Sequence, residues 1–166
     1  MESSERKFCS ERNFWLAASD NEFMNFCRIE NFQDSGKGGQ KRNRKYSAAR
    51  VTNIKTGLSA ECAEFREQIV NRNKAINKLK LKLAFSFSGE PIASVRAITS
   101  LESPDYPVWV AFVLDLLYKN SFEINPLAEK LSLSKSKTIK LLYRDKKLWD
   151  EVNNQRTKLG KTRLSL

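Results

Sequence analysis

The fold of this chain depends most on residues 41–62, KRNRKYSAARVTNIKTGLSAEC, which predict a β-hairpin. Residues 47–54 favour a strand, residues 55–57 favour a turn because they end in glycine, and residues 58–62 favour a second short strand. Upstream, residues 27–32 alternate apolar and polar side chains, although less regularly towards the end, and predict a further strand that leads into a loop. A small antiparallel sheet is therefore expected.

A long helix is predicted after the hairpin, because apolar residues between positions 65 and 83 recur at helical spacing. The predicted buried stripe consists of Phe65, Ile69, Ile76, Leu79 and Leu83. On another face, Lys74, Lys78 and Lys82 stand at positions i, i+4 and i+8. Like charges at this spacing repel each other by roughly a few tenths of a kcal/mol per pair. Such a ridge is tolerated on any solvated surface and is useful beside a polyanion.

The segments on either side of this core favour short helices. Residues 13–26 predict two of them, with Asp20 as the N-cap of the second. Residues 91–105 contain prolines and serines and are interpreted as a linker. The linker separates a predicted first domain, residues 1–90, from a predicted helical subdomain, residues 106–166.

Four helices are predicted in the subdomain. The first carries apolar residues at helical spacing, namely Trp109, Phe112, Val113, Leu116 and Leu117. Asn125 and Pro126 suit the N-cap and first position of the second helix, a turn at residues 132–134 precedes the third, and Asp145 can cap a fourth that ends near Gly160. The predicted fold class is α+β: a small antiparallel sheet packed on a long helix, followed by a small all-helical subdomain.

The composition limits the possible partners and chemistry. A net charge of +11 and a pI near 9.7 favour a polyanionic partner, and both halves of the chain contain more Lys and Arg than Asp and Glu. The chain has no histidine, which excludes Ser-His-Asp and Cys-His catalysis and histidine-bearing zinc sites. Three widely spaced cysteines give neither a disulfide framework nor a CxxC metal motif. No metal and no cofactor are expected.

No run of residues approaches the eighteen apolar positions that a membrane-spanning helix needs. The first residues, MESSERKF, lack the apolar region of a signal peptide. A soluble, cytoplasmic protein without membrane contact is predicted.

Half of the six glycines fall within residues 36–39, in a basic segment with three possible interpretations. It can be a phosphate cradle, although the GxxxxGK[ST] order is absent. It can be a flexible basic arm that binds nucleic acid without chemistry. It can also be a loop whose main-chain amides approach a substrate closely, which suits adjacent glycines because they lack a Cβ and permit positive φ.

The run SGKGGQKRN, residues 35–43, resembles the SGxGGQxxN signature of class I peptide chain release factors. The resemblance continues in register over about residues 20–85. The further matched positions are Ser47, Ala48, Arg50, Thr56, Gly57, Glu61, Cys62, Arg66, Gln68, Asn71, Lys74 and Ala75. The C-terminal region is similar to the helical extension of the compact bacterial release-factor-like proteins.

The resemblance implies a reaction in the peptidyl transferase centre of the large ribosomal subunit. There, water would attack the ester that joins the nascent peptide to tRNA. The backbone N–H of Gln40 would stabilise developing negative charge, and its side chain would place the water. Gly38 and Gly39 would allow the required backbone conformation, so the implied catalytic residues are Gly38, Gly39 and Gln40.

The resemblance also implies contacts with ribosomal RNA, whose phosphates would position the protein without specifying sequence. The expected rRNA-binding residues are Lys37, Lys41, Arg42, Asn43, Arg44, Lys45, Arg66, Gln68, Asn71, Lys74 and Lys78. Arg66, Gln68 and Asn71 are open to a second interpretation, as residues that cap or brace the helix. The implied partners are the ribosome, peptidyl-tRNA and a glutamine methyltransferase that acts on Gln40.

The function expected from the sequence is codon-independent hydrolysis of peptidyl-tRNA on stalled ribosomes, because 166 residues cannot hold the codon-reading domain of full-length release factors. One alternative is a non-catalytic factor that binds the ribosome or rRNA with the same fold. Another is a DNA-binding protein, since residues 127–143 imitate a helix-turn-helix, although a small packed helical bundle explains the same pattern.

Overall fold

The computed structural model describes residues 7–33, 47–90, 92, 95, 97–98 and 100–166. These residues form a mixed α/β fold, which confirms the predicted fold class. In chain order the elements are β1 (Lys7–Phe8), α1 (Arg12–Ala17), α2 (Asp20–Met24), β2 (Cys27–Phe32), β3 (Ala48–Asn53), β4 (Ser59–Cys62), α3 (Gln68–Ser86), β5 (Phe87–Ser88), α4 (Tyr106–Lys119), α5 (Ile124–Lys130), α6 (Lys135–Tyr143) and α7 (Lys146–Lys158).

The central sheet contains β2, β3 and β4 in that order, and both pairings are antiparallel. The hairpin turn between β3 and β4 is closed by Asn53, whose side-chain oxygen accepts hydrogen bonds from the backbone N–H and the hydroxyl of Thr56, both at 2.9 Å. Gly57 then adopts a φ of +71°, a conformation that costs a residue with a Cβ about 1–2 kcal/mol. The predicted hairpin is confirmed, and its turn has a local chemical cause.

Helix α3 packs across β3 and β4 and provides much of the core. Ile76, Leu79 and Leu83 are fully buried, as the apolar stripe predicts. Phe65 and Ile69 do not belong to that stripe, because they are 40% and 56% exposed. Since α3 begins at Gln68, Phe65 precedes the helix and Ile69 lies in its first turn.

The segment after α3 contains a pairing that periodicity did not predict. β5 pairs in parallel with β1, with Lys7 opposite Phe87 and Phe8 opposite Ser88. The N-terminal segment is thereby attached to the end of α3. Two residues per strand are too few for an alternating pattern to be recognised in the sequence.

The helical region is built around α4, which packs on α3. The buried residues of α4 are Tyr106, Pro107, Trp109, Val110, Ala111, Phe112, Val113, Leu114 and Leu117. Helices α5, α6 and α7 follow, and α6 packs on both α5 and α7. The contact between α3 and α4 joins the two predicted domains, whose boundaries at residues 90 and 106 stay a prediction.

Helix caps show which local predictions hold. Asp145 caps α7, as expected, by accepting hydrogen bonds from the backbone N–H groups of Lys147 and Leu148. Asp20 does not cap α2; Ser19 does, because its hydroxyl and the Glu22 carboxylate form a reciprocal capping box. Asn125 and Pro126 do not begin α5 either, since the helix starts at Ile124.

A buried ion pair connects the N-terminal segment to α4. The guanidinium of Arg12 donates a hydrogen bond to the Asp115 carboxylate, and Arg12 is fully buried. Gly89 leaves room for this side chain, since a Cβ at that position would lie 2.8 Å from Arg12 Nη2. Removing one partner of such a pair destabilises the fold, because it leaves an uncompensated charge in the interior.

Among the described residues, every helix is too short or too polar to cross a lipid bilayer.

Candidate functional site

Most of the predicted catalytic and rRNA-binding residues lie outside the described residues. These are Lys37, Gly38, Gly39, Gln40, Lys41, Arg42, Asn43, Arg44 and Lys45. The described part of the site consists of the two strands that this segment connects, β2 and β3, and of the beginning of α3.

The ends of the segment are set by the pairing of β2 with β3. Phe32, the last residue of β2, lies opposite Ala48, the first residue of β3. Phe32 and Ala48 therefore lie at the same end of the sheet. Ala48 and Ala49 are buried, so β3 enters the core immediately after this connection.

Asn71, on the first turns of α3, fixes the backbone at this end of the sheet. Its side-chain amide donates hydrogen bonds to the carbonyl oxygens of Ser47 and Phe65, both at 2.8 Å, and its oxygen accepts one from the Phe65 N–H at 3.0 Å. Asn71 is fully buried. Of the two interpretations open from the sequence, these contacts are those of a brace, and they hold the first described residue after the glycine-rich segment.

Arg50 connects all three strands next to this end. Its guanidinium donates a 2.6 Å hydrogen bond to Glu61 on β4, which raises the pKa of Arg50, and its Cζ lies 5.3 Å from the ring centroid of Phe32 on β2. Both charged side chains are partly exposed, so the pair adds little to stability. Its effect is to orient Arg50 over Phe32 at the exit of the sheet.

Two of the three lysines of the α3 ridge form ion pairs with carboxylates that are distant in sequence. Lys74 donates a 2.8 Å hydrogen bond to Glu102, and Lys78 donates a 2.6 Å hydrogen bond to Glu64. These hydrogen bonds raise the pKa of both lysines and lower the pKa of both glutamates. The third member, Lys82, donates to the carbonyl oxygen of Ser59 at 2.6 Å. A phosphate that binds Lys74 or Lys78 competes with a carboxylate for the ammonium group.

Arg66 and Gln68 are exposed at the start of α3, next to the Phe65 backbone that Asn71 holds. The structure therefore brings Arg66, Gln68 and Asn71 together beside the end of the sheet. Lys74 and Lys78 follow one and two turns further along the same helix.

Lys80 is a buried cation that the sequence pattern does not single out. Its ammonium donates to the carbonyl oxygen of Ala18 at 2.6 Å and to Asp20 Oδ1 at 3.2 Å, and lies 5.2 Å from the ring centroid of Phe23. The sequence could have separated Lys80 from the exposed ridge, because it stands two residues from Lys78. That offset places the two side chains on opposite sides of a helix. Lys80 attaches α3 to α2 and takes no part in the exposed ridge.

A bound metal ion or a reactive Cys27 thiol would be a source of chemistry among the described residues. Among them, no three His, Cys, Asp or Glu side chains are grouped so as to hold a metal ion. Burial raises the pKa of the Cys27 thiol to about 11, so this cysteine is protonated at neutral pH.

Comparisons with known proteins show which protein family this sheet and helix resemble. Residues 23–99 match the family model of the RF-1 domain. The chain is similar to peptide chain release factor 1 of Geobacter sulfurreducens, with 41% identity over 70 residues, which cover 42% of this chain and 20% of that protein. The corresponding protein of Blochmanniella floridana is 48% identical over 59 residues, which cover 36% of this chain and 16% of the relative. That of Mycoplasma genitalium is 45% identical over 56 residues, or 34% and 16%.

The matched residues contain β2, β3, β4 and α3 together with the Gly38-Gly39-Gln40 sequence. Over these residues the chain matches the RF-1 domain and is similar to peptide chain release factors, which supports the resemblance seen in the sequence. The chain spans about a fifth or less of the length of these curated relatives.

Proposed function

We propose that this protein promotes hydrolysis of the peptidyl-tRNA ester in the peptidyl transferase centre of the ribosome, independently of the codon in the decoding site. The observation that carries the proposal is the SGKGGQKRN sequence within an RF-1 domain, at the connection between β2 and β3. A cytoplasmic location follows from this function.

In the proposed reaction, a water molecule attacks the ester carbonyl, and the bond between the peptide and the ribose oxygen of tRNA breaks. Negative charge develops on the carbonyl oxygen, where the backbone N–H of Gln40 donates a hydrogen bond. The Gln40 side chain places the water. Binding to the ribosome supplies the orientation of the reactants. This chemistry needs no imidazole base, in agreement with a chain that contains no histidine.

The described contacts support separate roles for the residues that hold the glycine-rich segment and for those that bind RNA. Asn71 and the pairing of Phe32 with Ala48 fix both ends of the reactive segment. The cations of residues 37–45, together with Arg66 and Gln68, are proposed to bind rRNA. Lys74 and Lys78 are proposed to join them after exchanging Glu102 and Glu64 for phosphate.

Peptide release from ribosomes with a vacant A site tests the proposal. The wild-type protein is expected to release labelled peptide, whereas Gly39→Ala is expected to bind ribosomes and to release more slowly, because the added Cβ hinders the backbone conformation that places the Gln40 N–H. Losing one oxyanion donor usually slows a reaction by about 10²–10³. Gly160→Ala is the control for a loss of stability alone, because its added Cβ meets no other atom but its φ of +69° makes the substitution cost about 1–2 kcal/mol, away from the glycine-rich segment in the chain. Equal rates for wild type and Gly39→Ala would show that the loop assignment is wrong.

The same assay tests codon independence. Complexes that carry a stop codon, a sense codon or an mRNA truncated in the P site should give similar rates of release. Release restricted to stop codons would contradict this part of the proposal. Binding to the large subunit without release from any complex would favour the alternative of a non-catalytic ribosome-binding factor.

A further inference from the structure

Helix α6 presents a basic face that the RF-1 domain does not account for. Between Glu129 and Asp145 the chain contains five Lys or Arg residues and no acidic residue. Three of them, Lys137, Lys140 and Arg144, stand at i, i+3 and i+7, and all three are exposed. At about 1.5 Å of rise per residue they form a stripe about 10 Å long on one side of the helix.

The opposite side of α6 fixes this stripe on the molecule. Leu142 and Thr138 are fully buried, and the Thr138 hydroxyl donates to the carbonyl oxygen of Ser134 at 3.1 Å. Ser134 also accepts a hydrogen bond from the backbone N–H of Lys137 and so caps the helix. The helix packs between α5 and α7. The basic face therefore belongs to a rigid element.

The cations of this face differ from those of α3 in lacking carboxylate partners. Within the described residues, no salt bridge involves Lys137, Lys140 or Arg144, whereas Lys74 and Lys78 are both paired. Lys135 and Lys137 also occupy the first turn of α6, where the helix dipole disfavours positive charge. Repulsion among these unpaired charges is relieved when a polyanion binds.

The neighbouring Lys147 marks one boundary of the face. Its ammonium lies 4.2 Å from the ring centroid of Phe85, at the end of α3, and burial lowers its pKa. Lys147 is exposed, belongs to α7 and lies against the Phe85 ring, so it is not part of the α6 face. The face is accordingly defined by Lys137, Lys140 and Arg144, with Lys135 beside its first turn.

We propose that this α6 face binds the phosphates of double-helical RNA. The choice of RNA over other polyanions rests on the proposed function, which places the chain on the ribosome. The deep, narrow major groove of an RNA helix does not admit an α-helix, so α6 would contact phosphates along the surface and recognise shape rather than sequence.

The test compares two variants of the full chain that carry the same change of net charge. The face variant is Lys137→Gln/Lys140→Gln/Arg144→Gln. The control is Arg28→Gln/Lys119→Gln/Arg163→Gln, which removes three exposed cations from separate parts of the surface. Binding to a mixed-sequence RNA duplex of about 20 base pairs is measured as a function of salt, a length above the roughly 16 base pairs that a double-stranded RNA-binding domain spans.

The face variant is expected to bind about tenfold or more weakly at low salt, and its slope of log affinity against log salt should fall by about 2–3, close to one for each phosphate contact. The control should retain most of the affinity and slope. Equal losses in both variants would show that only total charge matters and would overturn the proposal, as would an unchanged face variant.

Two further probes decide the class of partner. A DNA duplex of the same sequence and vesicles of phosphatidylcholine with phosphatidylserine are measured beside the RNA. Stronger, sequence-selective binding to DNA, or stronger binding to the vesicles, would overturn the assignment to RNA. None of these measurements uses peptidyl-tRNA, so the α6 proposal and the hydrolase proposal can fail separately.

Discussion

Asn71 satisfies backbone groups from two segments that are far apart in the chain. Its carboxamide makes three hydrogen bonds, to the Ser47 carbonyl and to both polar backbone groups of Phe65, and no part of it is exposed. The sequence identified Asn71 as a matched position, but a pattern of residue types does not distinguish a residue that contacts RNA from one that braces the fold. Its burial and partners make that distinction.

Replacement of Asn71 by alanine should reduce both stability and activity. The change removes three partly buried hydrogen bonds, each of which contributes about 0.5–1.5 kcal/mol on average. We expect the free energy of unfolding to fall by at least about 2 kcal/mol, measured by urea denaturation. Asn73→Ala, at an exposed position two residues later, is the matched control.

Release activity of the folded Asn71→Ala protein should also decline, because the residue that follows the reactive segment is no longer held. Equal stability of the Asn71 and Asn73 variants would contradict the bracing role.

At the scale of elements, α3 combines a buried apolar stripe with cations held by acidic partners. The spacing of Lys74 and Lys78 could be recognised in the sequence. Their partners could not, because Glu102 and Glu64 come from segments outside the helix and no local period connects them. At Lys74 and Lys78, an RNA backbone consequently has to compete with ion pairs.

Removing the competing carboxylates should strengthen binding of the protein to ribosomes. In Glu64→Gln/Glu102→Gln, both lysines keep their charge and lose an anionic partner, so the slope of log affinity against log salt should steepen by up to about 2. The affinity is measured by co-sedimentation with ribosomes at several salt concentrations.

Glu67→Gln/Glu90→Gln makes the same change of net charge at two exposed glutamates and serves as the control. An equal gain in both variants would show that Lys74 and Lys78 make no specific contact with RNA.

At the scale of the whole molecule, local patterns predict the elements, and long-range contacts determine how they join. The hairpin, the long helix and the cap at Asp145 follow from spacing and turn chemistry. The parallel pairing of β1 with β5 and the burial of Arg12 against Asp115 do not, since each depends on residues that become neighbours only after folding. The glycine-rich segment itself was recognisable only through its sequence signature.

The Arg12–Asp115 pair should be important for stability. We expect Arg12→Ala to lower the free energy of unfolding by about 3–5 kcal/mol, because the partner carboxylate loses its counter-charge in a largely buried position. Thermal and urea unfolding of both single variants and of the double variant give the coupling energy. Purely additive effects of Arg12→Ala and Asp115→Ala would show that the two side chains do not act as a pair.

The pairing of Phe32 with Ala48 has a consequence for how this chain tolerates change. The sheet itself brings the two ends of the 33–47 connection together. The entropic cost of closing a connection increases only slowly with its length, by about 0.6 kcal/mol of free energy for each doubling. Insertions, deletions and substitutions there can alter turnover while the scaffold keeps its melting behaviour. The rate of turnover and the thermal stability can therefore change independently of each other, in natural relatives as well as in engineered libraries.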